Sequence, residues 1–481
     1  MLRRQTAAAV ELIARYWNSL DSRPVRSAVK PGEIYYAMPP VPPSKGLGEA
    51  GFSEALRTIE GLFVPGLTHW QSPNFFAFFP ANISTPAVLG ELLSAGLGVQ
   101  GMLWATSPAC TEVESRVVDW LAQMLDLPEA FLTRSANGGG VIQSTASEAT
   151  LSALVAGRWR VQRALGEEDR PLAIYASTQA HSSIIKAAMI AGLARHPEDA
   201  RHARFIPVGD AFSMDTGALR ARLMADAASG MAPCFVCASV GTTGSGAYDD
   251  LAEIVAIADE CGRRHGIRPW VHADAAWLGS ACICPEFRHL LRGIEGVDSF
   301  AFNPHKWMLT NFDCDCFFTR DRASLTASMS VTPEYLRNAA SESGGVIDYR
   351  DWHVPLGRRF RALKLWLVIR HYGVEGLREY IRGHVAMAEN FEQLVAADGR
   401  FELCAPRSAS LVCFAMKDRD DAENKRLLDD VNATGRAYLT HTVLPATPSR
   451  PKRLVLRMAI GAATTTQEHV RAAWETICSC V

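Results

Sequence analysis

A lysine at the end of Ser299-Phe300-Ala301-Phe302-Asn303-Pro304-His305-Lys306-Trp307 and an aspartate closing Trp270-Val271-His272-Ala273-Asp274 are the side chains best placed to do chemistry together. Each follows a short apolar run of the kind that forms a buried strand. A lysine amine can form an imine with a bound aldehyde, and a carboxylate one strand away can keep a heterocyclic nitrogen protonated. Those are the two demands of pyridoxal phosphate chemistry, in which the protonated ring withdraws electrons from the substrate. Asn303 and His305 flank the lysine and add polar groups to the same strand end.

Such a cofactor also needs a phosphate site and a partner for its ring. The run Gly138-Gly139-Gly140-Val141-Ile142-Gln143-Ser144-Thr145-Ala146-Ser147-Glu148 passes from glycines through hydroxyl residues into a strong helix former. A helix N-terminus there offers free N–H groups and a partial positive charge to an anion, with Thr145 and Ser147 adding hydroxyls. Ordinary helix capping by Ser144 explains the same pattern equally well. The Gly-Lys-Ser/Thr ending of a nucleotide-binding loop is missing, which argues against ATP or GTP. His181 follows the strand-like Ile174-Tyr175-Ala176, and Gly241-Thr242-Thr243-Gly244 closes another apolar run. Strand-end loops form the ligand crevice of open α/β sheets. Four of them here supply His181, Thr243, Asp274 and the Asn303/His305/Lys306 set.

The elements that must position these residues follow from the wider pattern. Short apolar runs at 173–176, 205–208, 234–240, 270–273, 299–302 and 314–319 alternate with amphipathic segments, which predicts an α/β layer with a mainly parallel sheet. A charged stretch at 323–350 breaks the alternation and reads as a mobile loop. Residues 402–405, 410–414 and 454–460 read as strands of a terminal α+β section closed by a helix at 467–478. The expected division is an N-terminal helical segment (1–84), a large α/β domain (85–360) and a small C-terminal domain (361–481). Forty-nine basic and 51 acidic residues leave a net charge of −2, so nothing favours nucleic acid or a membrane surface. Apolar stretches fall short of a membrane span, and Glu11 and Arg15 turn the N-terminal run into an amphipathic helix rather than an export signal. Cys234 and Cys237 have the two-residue gap of a metal or redox motif, but no second Cys pair or His pair stands at ligand spacing, so the twelve cysteines read as small core residues. The expected compartment is the cytoplasm, with no metal.

The chain resembles the group II pyridoxal-phosphate-dependent amino acid decarboxylases, and within them the aromatic-L-amino-acid decarboxylases. The resemblance runs through Leu67-Thr68-His69-Trp70, Phe75-Phe76-Ala77-Phe78-Phe79-Pro80 and Ser107-Pro108-Ala109-Cys110-Thr111-Glu112. It continues in Ala180-His181-Ser182-Ser183, Asp274-Ala275-Ala276-Trp277-Leu278-Gly279, Asn303-Pro304-His305-Lys306-Trp307 and Pro355-Leu356-Gly357-Arg358. It implies a fold-type-I subunit, with a sheet of the seven-stranded type, working as an obligate homodimer with active sites at the interface. By the same resemblance Lys306 is the Schiff-base lysine, Asp274 the pyridine-nitrogen partner and His181 the ring-stacking residue. Thr145, Ala146, Ser147 and Asn303 match phosphate contacts, while Thr243, Ala276 and His305 lie close to the cofactor. Trp70, Phe78, Phe79, Pro80 and Ala81 match substrate-pocket positions, and Gln100 and Met102 reach in from the partner subunit. Ala81 stands where a hydroxyl residue is common, Met102 where animal relatives carry a bulky aromatic, and Gln100 where they carry an aliphatic residue.

The resemblance also bears on reaction and substrate. Tyr335, in the expected mobile loop, matches the residue that protonates Cα after CO2 leaves. Relatives that oxidise their substrates to aldehydes replace this Tyr by Phe, or the His181 equivalent by Asn. Both residues are kept, so simple decarboxylation is expected, with an aromatic acetaldehyde synthase as the alternative. Histidine decarboxylases, a further alternative, and tyrosine-preferring plant relatives carry Ser at the Gly357 position. Gly leaves room for a catechol or indole ring, which points to L-DOPA, L-tryptophan or 5-hydroxytryptophan. A non-catalytic binding protein of this family would be expected to lose Lys306 or Asp274, and neither is lost.

Overall fold

Seven short strands assemble into one sheet in the computed structural model, which describes residues 1–48, 51–166, 169–331 and 333–481. They are β1 (Gly139–Gln143), β2 (Leu172–Ser177), β3 (Ala203–Ile206), β4 (Ala232–Ser239), β5 (Trp270–Asp274), β6 (Ser299–Phe302) and β7 (Asp315–Thr319). Their order is β1-β7-β6-β5-β4-β2-β3. The block from β3 to β6 is parallel, whereas β7 runs antiparallel to both β6 and β1. Every residue of β4 is buried, as expected of a parallel strand covered on both faces.

One face is covered by helix Ala146–Leu165, whose Ala149, Ala153, Leu154 and Ala156 pack with Val141, Ile174, Ala301 and Phe317. Gly157 lets this helix lie close against β5, since a Cβ there would come within 2.7 Å of Trp270 Cβ. The other face meets helix Leu251–His265 and the start of helix Ala362–Ala397, through Ile254, Ile257 and Leu365 against Val271, Phe300 and Phe318.

Helix Ala362–Ala397 bends at Gly373 (φ 64°, ψ 179°) and leads to a four-stranded antiparallel sheet. Its strands are β8 (Phe401–Leu403), β9 (Leu411–Met416), β10 (Thr440–Leu444) and β11 (Arg453–Ala459), in the order β10-β11-β9-β8. The aromatic block of residues 70–80 threads along this sheet. Phe76 takes a backbone hydrogen bond from Ala459, gives one to Tyr438, and buries its ring among Phe391, Phe414 and Leu456. All twelve cysteines are free thiols, ten of them buried. No helix of the described residues is long and apolar enough to cross a membrane.

Three elements differ from the pattern reading. β1 and β10 are additional strands; the first begins on two glycines and the second alternates Thr and His, so neither forms the continuous apolar run that marked the other strands. The expected loop from 323 begins instead as helix Arg322–Met329, capped by the Asp321 carboxylate on Ser324 N and anchored by buried Leu325. Shorter turns at Glu334–Leu336, Ala339–Glu342 and Tyr349–Asp351 follow, and residue 332 of that stretch lies outside the described residues.

The Gly157 contact generates a test. Gly157→Val should destabilise the protein by about 1–3 kcal/mol through overpacking, seen as a lower urea midpoint at unchanged slope. A midpoint equal to wild type would show that helix and strand can separate at no cost.

Candidate active site

The C-terminal ends of β2, β4, β5 and β6 converge. Asp274 is the last residue of β5, and its Oδ1 accepts a hydrogen bond from Ala276 N at 3.1 Å. Ala276 in turn accepts through its carbonyl from Asn303 N at 3.0 Å, tying the β5 turn to the end of β6. Asn303 continues β6 in extended conformation and precedes the short helix Pro304–Trp307, which carries Lys306. Burial lowers the proton affinity of the Lys306 amine, while the negative charges of Asp274 and Asp315 pull it back up. Its Nζ lies 5.8 Å from the Phe79 ring centre.

His181 belongs to the same group. Burial lowers its pKa, Asp274 acts against that, and Lys306 reinforces it. Ser183 N donates to His181 Nδ1 at 3.2 Å, so the neutral ring carries its proton on Nε2. His305 is pushed down to about 3, first by burial and then by the neighbouring Lys306. Its Nδ1 accepts from Cys314 N at 3.0 Å, which fixes the same tautomer. The turn Gly241–Gly244 leaves Thr243 exposed, beside the His181 loop: a Cβ on Gly244 would sit 3.0 Å from Gln179 Oε1.

An aromatic column supports this floor. Phe79 stacks on Trp277 at 4.2 Å and Trp277 on Trp307 at 5.4 Å, with His384 following at 6.3 Å. Trp307 Nε1 donates to His384 Nδ1 at 2.9 Å, so the residue next to Lys306 is anchored to helix Ala362–Ala397. Beside it, Phe78 adopts φ 52° and stacks on Trp70 at 5.5 Å, leaving both rings partly in solvent. Pro80 packs against Gly461, and Ala81 accepts from Gln71 through its carbonyl.

An anion cradle opens beside Asn303. Thr145 is the N-cap of helix Ala146–Leu165 but makes no side-chain cap bond, which leaves the first-turn N–H groups at Ala146 and Ser147 open. Ser144 and Glu148 bond each other instead, and Glu148 also faces His353. Asn303 Oδ1 is buried without a hydrogen-bond partner among the described residues. An uncapped helix start beside the Lys306 amine and the Asp274 carboxylate fits a phosphorylated pyridine aldehyde.

Other expected site residues sit apart from this cluster. Gly357 lies against Gln100, whose Nε2 would be 3.3 Å from a Cβ there, and Gln100 Oε1 accepts from Arg358 N. Met102 O accepts from Arg350 N at 3.1 Å, and Asp348 Oδ1 from Trp104 N, so the stretch holding Tyr335 ends on the same strip. Tyr335 is 75% exposed. Residues 100–102, Gly357 and the Tyr335 stretch thus form one surface.

Two site residues escaped pattern reading. Arg457 is buried in β11, with its guanidinium over the Phe79 ring at 5.0 Å and bonds to Gly244 O, Phe78 O and Thr440 Oγ1. Asp315 is buried in β7. The available signal was the same for both: a charge at an inward position of an otherwise apolar run.

Comparison with known proteins agrees with this geometry. Residues 48–417 match the family model described as the pyridoxal-dependent decarboxylase conserved domain. The chain belongs to the pyridoxal-dependent decarboxylases. It is 45% identical to phenylacetaldehyde synthase of Arabidopsis thaliana over 97% of this chain and 93% of that protein. It is 44% identical to tyrosine decarboxylase 1 of Narcissus pseudonarcissus, over 99% and 91% of the two chains. The crystal structure of Oryza sativa TDC with PLP and tryptamine superposes with a TM-score of 0.94 at 43% identity, covering 100% of this chain and 97% of that one. A decarboxylase of this family works with pyridoxal phosphate, and the mainly parallel α/β sheet is the fold of these relatives.

Buried neutral histidines carry a consequence for stability. His272 and His384 are pushed down to about 4 by burial, alongside His305. Unfolded, each binds a proton near pH 6.5. Their contribution is therefore complete above that pH and is lost as pH falls toward the folded values. Stability of the apo protein should drop between pH 6.5 and 5 by up to about 1.4 kcal/mol per pH unit for each histidine. His384→Gln keeps an acceptor for Trp307 and should remove about one proton from that slope in urea titrations; an unchanged slope would exclude His384 as a source.

Proposed function

We propose that the protein removes CO2 from aromatic L-amino acids of the L-DOPA, L-tryptophan and 5-hydroxytryptophan class, releasing the amine. The observation that carries this reading is the convergence of Lys306, Asp274 and His181 at neighbouring strand ends, close enough to feel one another's charge, with the Phe79 ring beside the amine. Lys306 would hold the cofactor covalently, with Asp274 at the ring nitrogen and His181 over the ring face. Thr145, Ala146, Ser147 and Asn303 would take the phosphate, and Ala276, Thr243 and His305 would border the ring. Bound there, pyridoxal phosphate draws electrons away from Cα as CO2 departs.

The chain's own groups do the rest. The Asp274 carboxylate keeps a proton on the ring nitrogen, and the aromatic column holds the Lys306 helix against the wall that receives the substrate ring. Neutral His181 has an Nε2–H to offer. Tyr335 would deliver a proton to Cα from its phenol while its stretch of chain covers the site. Gln100, Met102 and Gly357 lie together on one strip to which the Tyr335 stretch is tied at its end through Asp348 and Arg350, which supports their completing a second subunit's site. Leu89, Leu92, Leu93 and Leu97 expose an apolar helix face on the same chain, as an obligate homodimer would require. Trp70, Phe78, Pro80 and Ala81 would border the substrate, with no hydroxyl at Ala81. Gln100 beside Gly357 leaves a serine little room, which favours a large ring over the histidine-type pocket. We further keep the division into residues 1–84, 85–360 and 361–481. We place the protein in the cytoplasm, which suits twelve free thiols.

An aromatic acetaldehyde synthase is the competing reading, since one relative at 45% identity carries that name. Retention of both Tyr335 and His181 favours plain decarboxylation.

Borohydride should fix the cofactor to Lys306 in the wild type, and Lys306→Ala should lose both that link and nearly all turnover. Asp274→Asn should lower turnover on the order of a hundredfold, the loss of an electrostatic contribution of a few kcal/mol. Label found on another lysine, or Asp274→Asn within a few fold of wild type, would sink these assignments. Tyr335→Phe should still release CO2 but leave Cα unprotonated long enough to meet oxygen, shifting product from amine to aldehyde, ammonia and peroxide. An amine yield unchanged and free of peroxide would refute Tyr335 as proton donor.

A further inference from the structure

Asp315 is a buried acid that the functions above leave unused. It opens β7, is fully buried, and neither carboxyl oxygen has a hydrogen-bond partner among the described residues. Gln143 of β1 stands directly opposite it. On the other side Phe302 pairs with Cys316, and the extended backbone of Asn303 (φ −104°, ψ 98°) brings that residue opposite Asp315 one step further on. Side-chain alternation then sets Gln143, Asp315 and Asn303 abreast on the sheet face that carries Asp274, one row beyond it.

The neighbours of Asp315 in this row offer acceptors. Gln143 commits its NH2 to Ser152 Oγ and Trp352 O, and its Oε1 is buried with no donor. Asn303 Oδ1 is buried with no donor either. With the two amides oriented as they stand, an ionised carboxylate would meet the lone pairs of Gln143 Oε1 and Asn303 Oδ1, whereas a protonated acid supplies the missing donor. The groups facing it agree. Asp274 from β5, Glu148 from helix Ala146–Leu165 and the adjacent Cys314 outweigh Lys306, and with burial they raise the proton affinity of Asp315 well above the usual carboxylate range.

We propose that Asp315 is held as a neutral acid whose O–H donates to Asn303 Oδ1, so that Asn303 presents its NH2, not its carbonyl, to the anionic end of the cofactor. Asp315 is then a positioning residue, and the role rests on the assignment of Asn303 to the phosphate. Ionisation reverses the amide: the NH2 turns to the carboxylate, the carbonyl oxygen faces the phosphate, and the grip on the cofactor weakens.

Two measurements on the apo protein test this from pH 6 to 9: the affinity for pyridoxal phosphate, and stability in urea without cofactor. At pH 7, Asn303→Ala and Asp315→Ala should each bind the cofactor about tenfold more weakly, the value of one lost hydrogen bond. Asp315→Asn keeps a donor and should bind as wild type does at pH 7, while lacking the extra loss of affinity that wild type shows at high pH. A raised folded-state pKa stabilises fully below the unfolded value near pH 4 and is lost as pH rises through the folded one. Relative to Asp315→Asn, the wild-type unfolding constant should therefore rise about tenfold per pH unit until Asp315 ionises in the folded protein. Parallel stability profiles for wild type and Asp315→Asn would overturn the neutral acid. A binding defect in Asn303→Ala with wild-type affinity in Asp315→Ala would overturn the coupling between the two. Wild-type affinity in Asn303→Ala would overturn the phosphate assignment and the inference with it.

Discussion

A lysine amine enclosed with the carboxyl groups of Asp274 and Asp315, where the sheet changes direction, is the constraint on which the rest of the structure depends. Burial in low dielectric penalises every charged form, so the amine is drawn toward neutrality and Asp315 toward its protonated state. A neutral amine is the nucleophile that an aldehyde cofactor needs. The cost of enclosing three ionisable groups is tolerable only where neighbours hold them rigidly apart. The reversal at β7 does this by placing Asp315 beside the ends of β6 and β1 rather than in line with Asp274.

Rigidity comes from apolar packing rather than from more polar bonds. The column Phe79–Trp277–Trp307–His384 joins the aromatic block, the β5 turn, the lysine helix and the long C-terminal helix in one stack. Aromatic rings supply large buried areas with few rotatable bonds, so they position the amine at little entropic cost. Arg457 completes the wall from the small sheet: its buried guanidinium spends its donors on Gly244, Phe78 and Thr440, pinning the turn after β4 to the substrate wall. Two sheets far apart in sequence therefore meet at one site.

The surface formed by residues 100–102, Gly357 and the Tyr335 stretch belongs to the same logic. Its hydrogen bonds, Arg350 N to Met102 O and Arg358 N to the Gln100 side-chain Oε1, tie the end of the Tyr335 stretch to the strip of residues 100–102 and Gly357. Whatever seats one seats the others. On the proposed assignment, substrate choice and proton delivery would be coupled through this strip, with the Gln100–Gly357 contact the place where a larger side chain at 357 would first be felt.

The sequence by itself determined the local parts. Apolar runs ending on Asp274 and just before Lys306 marked β5 and β6, because a strand buried on both faces must be continuously apolar and its end is where polarity can return. The β6 bounds were legible for the same reason, and the closing helix at 467 from its amphipathic pattern. β1 and β10 were not, since two leading glycines in one and alternating Thr and His in the other interrupt the continuous apolar run that marks a buried strand. The helix at Arg322–Met329 was hidden by its polar composition, in which Ser324, Thr326 and Ser328 dilute the apolar pattern, and it is held once Asp321 caps it and Leu325 is buried. Tertiary structure alone decided that Asp315 lies abreast of Gln143 and Asn303, that Arg457 reaches Phe79, and that Gly357 sits with Gln100. Each of these is a relation between segments distant in the chain. Register and packing fix such relations, and no spacing along one segment encodes them.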